Sequence, residues 1–104
     1  MQTFDAAAYR GKRVRFRAAV RLAAAGDDDR AQMWFRVDRT DGGMGFFDNM
    51  RDRPIRGVDW QYYDITGDVD SDAGRINIGL MLIGKGKAWI DDVSVDILGD
   101  NRGR

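Results

Sequence analysis

The side chains of this chain that could do chemistry are aspartates, arginines and aromatic rings. The sequence contains no histidine, cysteine or glutamate, so it lacks the commonest general base and any thiolate nucleophile or metal ligand. Aspartates could still act as acid and base, with Asp38, Asp48 and Asp91 as candidates and Arg36 or Arg53 stabilising an anion. Nothing in their spacing requires this. The residue types therefore favour a non-catalytic binding function, with a small aspartate-based enzyme as an alternative.

An aromatic residue alternating with charged residues indicates a binding face. Trp34, Arg36 and Asp38 are spaced by two and would share one face of a strand. A tryptophan ring stacks on sugar rings and other flat ligands, while arginine and aspartate supply polar contacts around it. Packing of the tryptophan beside a surface Arg–Asp pair is the alternative interpretation. The predicted ligand-binding residues are Trp34, Arg36, Asp38, Phe47, Asp48, Asn49, Arg53, Trp89 and Asp91.

Two of these predictions have a purely structural alternative. Asp48 and Asn49 follow Phe47 in a loop, where they could bind a ligand or simply form a turn through their side chains. Asp91 falls on the core face if alternation is counted through Trp89 and Val93. A buried carboxylate must be paired or bind a metal. Asp91 is therefore predicted to contact a ligand or to form a salt bridge with an arginine, and it is a weak candidate for binding calcium.

The elements that would position these residues are strands. Arg13–Leu22 alternates cleanly, with apolar residues on one side and a stripe of arginines on the other. No aromatic residue is expected beside that stripe, so it is predicted to be a solvated face and not a nucleic-acid site. Trp60, Tyr62 and Tyr63 are expected in the core or at a dimer interface, and Asp27–Asp29 at a solvated loop tip.

Six strands are predicted in all, joined by glycine- and aspartate-rich turns. They are Arg13–Leu22, Gln32–Arg39, Met44–Phe47, Asp59–Val69, Arg75–Ile83 and Lys87–Leu98, preceded by one helical turn within Asp5–Arg10. This spacing is typical of an antiparallel sandwich or barrel. The whole chain, residues 1–104, is predicted to be one domain, with residues 1–10 as a lead-in and residues 99–104 as a frayed tail.

Composition limits the partners and the location. The net charge is zero, so no global basic field attracts nucleic acid. No segment resembles a signal peptide or a membrane-spanning helix, so no membrane association and a cytoplasmic location are expected. No cofactor is expected apart from the weak calcium possibility.

Several motifs together resemble a known superfamily. They are Tyr9-Arg10-Gly11-Lys12, Trp34-Phe35-Arg36-Val37-Asp38, Phe47-Asp48-Asn49-Met50, Arg53-Pro54-Ile55, Trp60 and Trp89-Ile90-Asp91-Asp92-Val93. Residues 4–98 resemble the galactose-binding-like jelly rolls, which include carbohydrate-binding modules of the family 4/9 kind. They also resemble small uncharacterised bacterial domains found near AraC-type regulators. The resemblance implies an all-β, antiparallel, two-sheet jelly-roll sandwich that binds a carbohydrate or another small ligand on its concave sheet face.

One departure from the superfamily concerns the N-terminus. Such domains carry one or two strands before the Tyr-Arg-Gly-Lys turn, and only about eight residues precede it here. The resemblance implies that groups from such a strand would help hold calcium, so the shortened edge weakens the calcium prediction for Asp91. An unpaired apolar edge is a liability. We therefore expect a homodimer that covers it, and a structural or regulatory dimerisation module is a further alternative function.

Overall fold

The computed structural model describes residues 1–100. These residues form seven strands, β1 (Gln2–Asp5), β2 (Lys12–Ala23), β3 (Arg30–Arg39), β4 (Met44–Asp48), β5 (Gln61–Asp68), β6 (Ala73–Ile83) and β7 (Lys87–Asp100), and one 3-10 helix, Ala7–Tyr9. No helix in this part of the chain is long and apolar enough to cross a lipid bilayer.

The strands pair into two antiparallel sheets that face each other. One sheet has the order β1-β6-β3-β4 and the other β5-β2-β7. β7 lies over β6, and β5 lies over β3 and β4. The predicted all-β, antiparallel, two-sheet sandwich is confirmed. Each sheet consequently has one face in the core and one outer face that can meet a ligand.

The core lies between β2 and β3. Its central side chains are Val14, Phe16, Ala18, Val20 and Leu22 of β2 and Met33, Phe35 and Val37 of β3. Phe46 closes one side of it, with its ring edge-on to Phe35 at 5.3 Å. A Cβ at Gly67 would lie 2.6 Å from the Phe46 ring. Glycine is therefore required where the two sheets meet at this side.

The N-terminal segment is not merely a lead-in. Residues 2–5 pair with β6, from Gln2 opposite Ile78 to Asp5 opposite Arg75. The expected turn follows as a 3-10 helix, in which the Ala7 N–H donates to Asp5 Oδ1 at 2.7 Å. Because β1 has only four residues, residues 79–83 of β6 pair with no described strand on that side.

The C-terminal tail predicted from the sequence, residues 99–104, begins too early, because β7 continues to Asp100. Gly99 lies opposite Arg13 within β7, and Asp100 forms an ion pair with Lys12 at 2.6 Å. The extra length of β7 follows from β2, which begins at Lys12 and offers pairing partners up to that point. Residues 101–104, the rest of the predicted tail, lie outside the described residues.

Asp29 is buried, so the prediction of a fully solvated loop tip is wrong for this residue. Its side chain accepts hydrogen bonds from the backbone N–H groups of Ala25 at 2.8 Å, Gly26 at 3.2 Å and Lys85 at 3.1 Å. These bonds hold the carboxylate ionised and lower the pKa of Asp29. The side chain thereby ties the β2–β3 loop to the β6–β7 turn.

Candidate functional site

Trp34, Arg36 and Asp38 share the outer face of the four-stranded sheet, as their alternation predicts. Trp34 lies opposite Gly79 of β6. Its indole covers this glycine so closely that a Cβ there would lie 2.6 Å from the ring. The side chain of Trp34 is only half-buried, so part of it remains accessible on this outer face.

A row of hydrogen-bonded polar side chains lies beside this tryptophan. Arg36 Nε approaches Asp38 Oδ1 at 3.2 Å, and Asn77 Nδ2 donates to Asp38 Oδ2 at 2.9 Å. Asn77 is almost fully buried, and its Oδ1 accepts from Thr3 Oγ1 at 2.9 Å. We refer to Trp34, Arg36, Asp38 and Asn77 as the Trp34 face.

The predicted loop residues are mostly engaged in forming their own turn. Asp48 accepts the Met50 N–H at 2.8 Å and pairs with Arg53 at 2.6 Å, and this pairing raises the pKa of Arg53. Asn49 Oδ1 accepts the Arg51 N–H at 3.1 Å. Phe47 differs, because it lies opposite Arg36 and its side chain is exposed. Among the ligand-binding residues predicted in and beside this loop, only Phe47 borders the Trp34 face.

Trp89 and Asp91 do not face the core, and that prediction is wrong. Trp89 lies opposite Arg21 and Asp91 opposite Ala19, on the outer face of the three-stranded sheet. The physical reason is a β-bulge at Asp92, which has a positive φ of 52°. One extra residue reverses the alternation of side chains along β7. The predicted site residues are therefore divided between two opposite faces of the sandwich.

The outer face of the three-stranded sheet contains a depression with aromatic walls. Its floor is Ala19, and its lining includes Trp60, Tyr62, Asp91 and Asp92, around about 490 Å³ of space. Both aromatic side chains are exposed, Trp60 by 48% and Tyr62 by 51%. The small alanine matters because a larger side chain at the centre of β2 would fill the space. We call this feature the aromatic depression.

Trp89 extends this aromatic surface along β7. It precedes Asp91 by two residues on the same outer face, and 38% of it is exposed. The guanidinium carbon of Arg21 lies 4.4 Å from the centre of the Trp89 ring, and that of Arg17 lies 4.3 Å from the centre of the Tyr62 ring. These cation–π contacts hold the two rings in place.

The arginine stripe of β2 is thus accompanied by aromatic rings, contrary to the sequence prediction. Arg13 pairs with Asp68 at 3.2 Å and Arg15 with Asp96 at 3.3 Å. Arg17 and Arg21 instead stack on aromatic rings. Consequently, one end of the stripe is neutralised by carboxylates, and the other end belongs to the aromatic depression.

Two carboxylates lie at the rim of the depression. Tyr62 donates its hydroxyl hydrogen to Asp92. This hydrogen bond stabilises the protonated phenol, and the carboxylate also repels a phenolate, so the pKa of Tyr62 is raised. The Asp92 N–H donates to Asp91 Oδ1 at 2.8 Å. No ion pair links Asp91 or Asp92 to another residue within 1–100. Their free oxygens can therefore accept hydrogen bonds from a ligand.

Among the described residues, no set of side chains accompanies Asp91 to form the predicted calcium site. Asp91 is exposed to solvent. No group of three or more histidine, cysteine, aspartate or glutamate side chains in residues 1–100 is placed to hold a metal ion.

Sequence reasoning missed Trp60, Tyr62 and Asp92 as site residues. A signal for the first two was present, because Tyr63 and Ile65 form the inward row of β5 and leave Tyr62 on the outer face. Asp92 carried no such signal, since its orientation depends on the bulge.

Comparison with known proteins supports the fold. No protein family profile matches the chain. The chain resembles the solved CBM22-1 xylan-binding domain of Xyn10C from Paenibacillus barcinonensis with a TM-score of 0.62 and 14% sequence identity. The match covers 93% of this chain and 64% of that one. The jelly-roll sandwich predicted from the sequence is confirmed by this likeness.

A second similarity concerns sequence. The chain is 38% identical over 94 residues to the uncharacterised HTH-type transcriptional regulator YbfP of Bacillus subtilis strain 168, covering 89% of this chain and 31% of the regulator. The chain thus spans about a third of the curated relative that it matches. This agrees with the predicted resemblance to domains found near transcriptional regulators, whereas the AraC type and the family 4/9 assignment remain predictions.

Proposed function

We propose that this chain is a non-catalytic carbohydrate-binding domain whose ligand lies in the aromatic depression. The observation that carries the proposal is the pair of exposed rings of Trp60 and Tyr62 beside a small-residue floor and two rim carboxylates. Trp89 extends this aromatic surface along β7. Exposed rings stack on the apolar faces of sugars, and the carboxylates accept hydrogen bonds from sugar hydroxyls. The likeness to a xylan-binding domain supports the same class of ligand.

The placement of the aspartates argues against the enzyme alternative. A hydrolase needs two carboxyl groups facing one substrate bond. Asp38 lies on one outer face, Asp91 on the opposite one, and Asp48 is already paired with Arg53. The candidates that sequence reasoning considered therefore cannot act on one bond. Binding needs no such pair.

Titration of the chain with soluble neutral oligosaccharides of xylose, glucose and mannose tests this proposal. We expect at least one of them to bind with a micromolar to millimolar dissociation constant by isothermal titration calorimetry, with quenching of tryptophan fluorescence. An unrelated polyol such as sorbitol, which has no ring to stack, serves as the control. If none of the oligosaccharides binds at millimolar concentration, the carbohydrate proposal is overturned.

We propose a homodimer as a second feature of the function, because one edge of the sandwich is open and apolar. Within residues 1–100, β7 pairs with β2 alone, and β1 is too short to cover residues 79–83 of β6. Val93 and Ile97 of β7 remain 45% and 49% exposed. A second copy is the occupant we favour, because the curated relative is an HTH-type regulator and helix-turn-helix proteins bind paired half-sites as dimers.

Light scattering after size-exclusion chromatography tests the dimer. We expect a dimer mass at high micromolar concentration, and a monomer mass for the Val93→Arg and Ile97→Arg variants, because a charge in an apolar contact is strongly unfavourable. Leu98→Ala removes apolar surface without adding charge and should perturb the dimer least. A monomeric wild-type chain across the whole concentration range would rule out this interface.

A further inference from the structure

We infer that the Trp34 face is a second carbohydrate-binding site, on the side of the sandwich opposite to the aromatic depression. This goes beyond the proposed function, because it makes the domain bivalent. The two faces belong to different sheets, whose backbones are stacked about 10 Å apart. A single sugar chain cannot stack on both at once without wrapping around the domain. Each face must therefore bind its own ligand segment.

The first support is the way Trp34 is held. The ring lies against Gly79 of the central strand β6, with the hypothetical Cβ 2.6 Å from its atoms. A glycine inside a strand marks a place where another group approaches the backbone closely. The half-buried ring is therefore held against the backbone of β6 and leaves part of its surface accessible on this face. Such a surface can stack on the apolar face of a sugar.

The second support is the fixed row of polar groups beside the ring. Asn77 is only 4% exposed, and hydrogen bonds at both ends of its amide fix its orientation. Asp38 receives the Asn77 amide on one oxygen and Arg36 on the other. The row thus offers donors and acceptors that are already ordered, which lowers the entropy cost of binding.

The charges of this row select the type of ligand. Arg36 and Asp38 neutralise each other at 3.2 Å. Arg75, which lies opposite Asp38, also lies opposite Asp5 of β1, so the charges of this part of the face balance. A charged ligand would gain little there, whereas a neutral polyhydroxylated ring can use both the guanidinium and the carboxylate. We therefore assign a neutral sugar to this face. A planar heterocycle, which would stack but use fewer polar groups, is the main competitor.

The three tryptophans allow each face to be observed separately. In a ¹H–¹⁵N NMR titration with xylohexaose, cellohexaose and mannohexaose, the indole signals of Trp60 and Trp89 report the aromatic depression, and that of Trp34 reports the second face. We expect all three signals to move with at least one sugar. The Trp34 signal should follow its own saturation curve. Adenosine serves as the planar heterocycle.

Variants separate a binding role from a structural one. Arg36→Gln should shift the Trp34 saturation curve to about tenfold higher sugar concentration and leave the Trp60 and Trp89 curves unchanged. Arg13→Gln, an exposed arginine on the other sheet, is the matched control and should alter neither curve. Trp34→Phe keeps a ring over Gly79 and should leave the domain folded. The side-chain amide signal of Asn77, which replaces the lost indole signal as the reporter of this face, should then move only at higher sugar concentration.

Each pattern of signals has a distinct meaning. A silent Trp34 signal while Trp60 and Trp89 move would overturn the second site and leave the proposed function standing. A shift of the Trp34 signal alone would support the second site and overturn the proposed site in the aromatic depression. If none of the three indole signals shifts, both sites are overturned. A response of Trp34 to adenosine but to no sugar would overturn the assignment of a neutral carbohydrate.

Discussion

Replacing Trp89 with alanine is expected to weaken oligosaccharide binding about 30-fold, because an aromatic ring that stacks on the ligand contributes roughly 2 kcal/mol to binding. Trp89 is 38% exposed, and its ring is already held by Arg21. Ordering the Trp89 ring on binding therefore costs little entropy. Most of the free energy of stacking on the ligand then contributes to the affinity. Adding Trp60→Ala should make binding undetectable by calorimetry, since only Tyr62 then remains.

Three comparisons make this result specific. Trp89→Phe keeps a smaller ring and should bind with an intermediate dissociation constant. Leu98→Ala changes an exposed apolar residue of the same strand and should bind like the wild type. Circular dichroism and thermal melting should show every variant folded, because Trp89 lies outside the core. If Trp89→Ala and Trp60→Ala both bind as tightly as the wild type, the aromatic depression is not the site.

The strands were predictable from the sequence because their signal is local. In β2, apolar residues from Val14 to Leu22 alternate with arginines, and a strand with one buried face requires that pattern. The glycine-rich turn at Asp41–Gly43 likewise marks the hairpin between β3 and β4. β1 could not be found in the same way, because four residues are too few to show a period and its stability comes from pairing with distant β6.

The candidate site was only partly predictable, and β7 shows why. Counting alternate residues backwards from Ile97 places Trp89 and Asp91 in the core. That count assumes a regular strand, whereas the bulge at Asp92 places two residues opposite one of β2. Nothing in the sequence Asp91-Asp92 distinguishes a bulge from a regular strand. The face of Trp34 was predicted because the pairing of β3 with β6 is regular through that part of the strand.

The aromatic depression also depends on contacts across strands. Ala19, Tyr62 and Asp91 lie far apart in the chain, and only the registers of β5 and β7 against β2 bring them together. Composition could suggest that the chain binds a flat ligand, but the choice of face required these registers. The same reasoning applies to Asp29, since its partner Lys85 is 56 residues away.

Replacing Gly84 with alanine is expected to destabilise the domain by about 3 kcal/mol or more, because strained backbone and overlap with a packed group add together. Gly84 has a φ of 116°, which side-chain-bearing residues rarely adopt, and a Cβ there would overlap the carboxylate of Asp29. The variant must expel that carboxylate from the amide groups of Ala25, Gly26 and Lys85. Chemical denaturation with urea measures the loss.

Gly42→Ala is the matched control, because it separates the overlap from the backbone strain. Gly42 has a similar φ of 91°, but no atom lies within 4 Å of its hypothetical Cβ. The Gly42→Ala substitution should lower the free energy of unfolding by only about 1–2 kcal/mol, which is the contribution of backbone strain alone. Equal losses in the two variants would mean that Asp29 does not hold the loops together.

Acidification tests the same contact independently. Because the folded pKa of Asp29 is lowered from 3.8, its contribution to stability is present above that pH and is lost as the pH falls through the folded pKa. In Gly84→Ala the carboxylate has left its amide partners, so this part of the acid sensitivity should disappear. The difference in melting temperature between wild type and variant should therefore narrow below pH 3.8. A difference that stays constant on acidification would show that the ionised carboxylate contributes nothing at this junction.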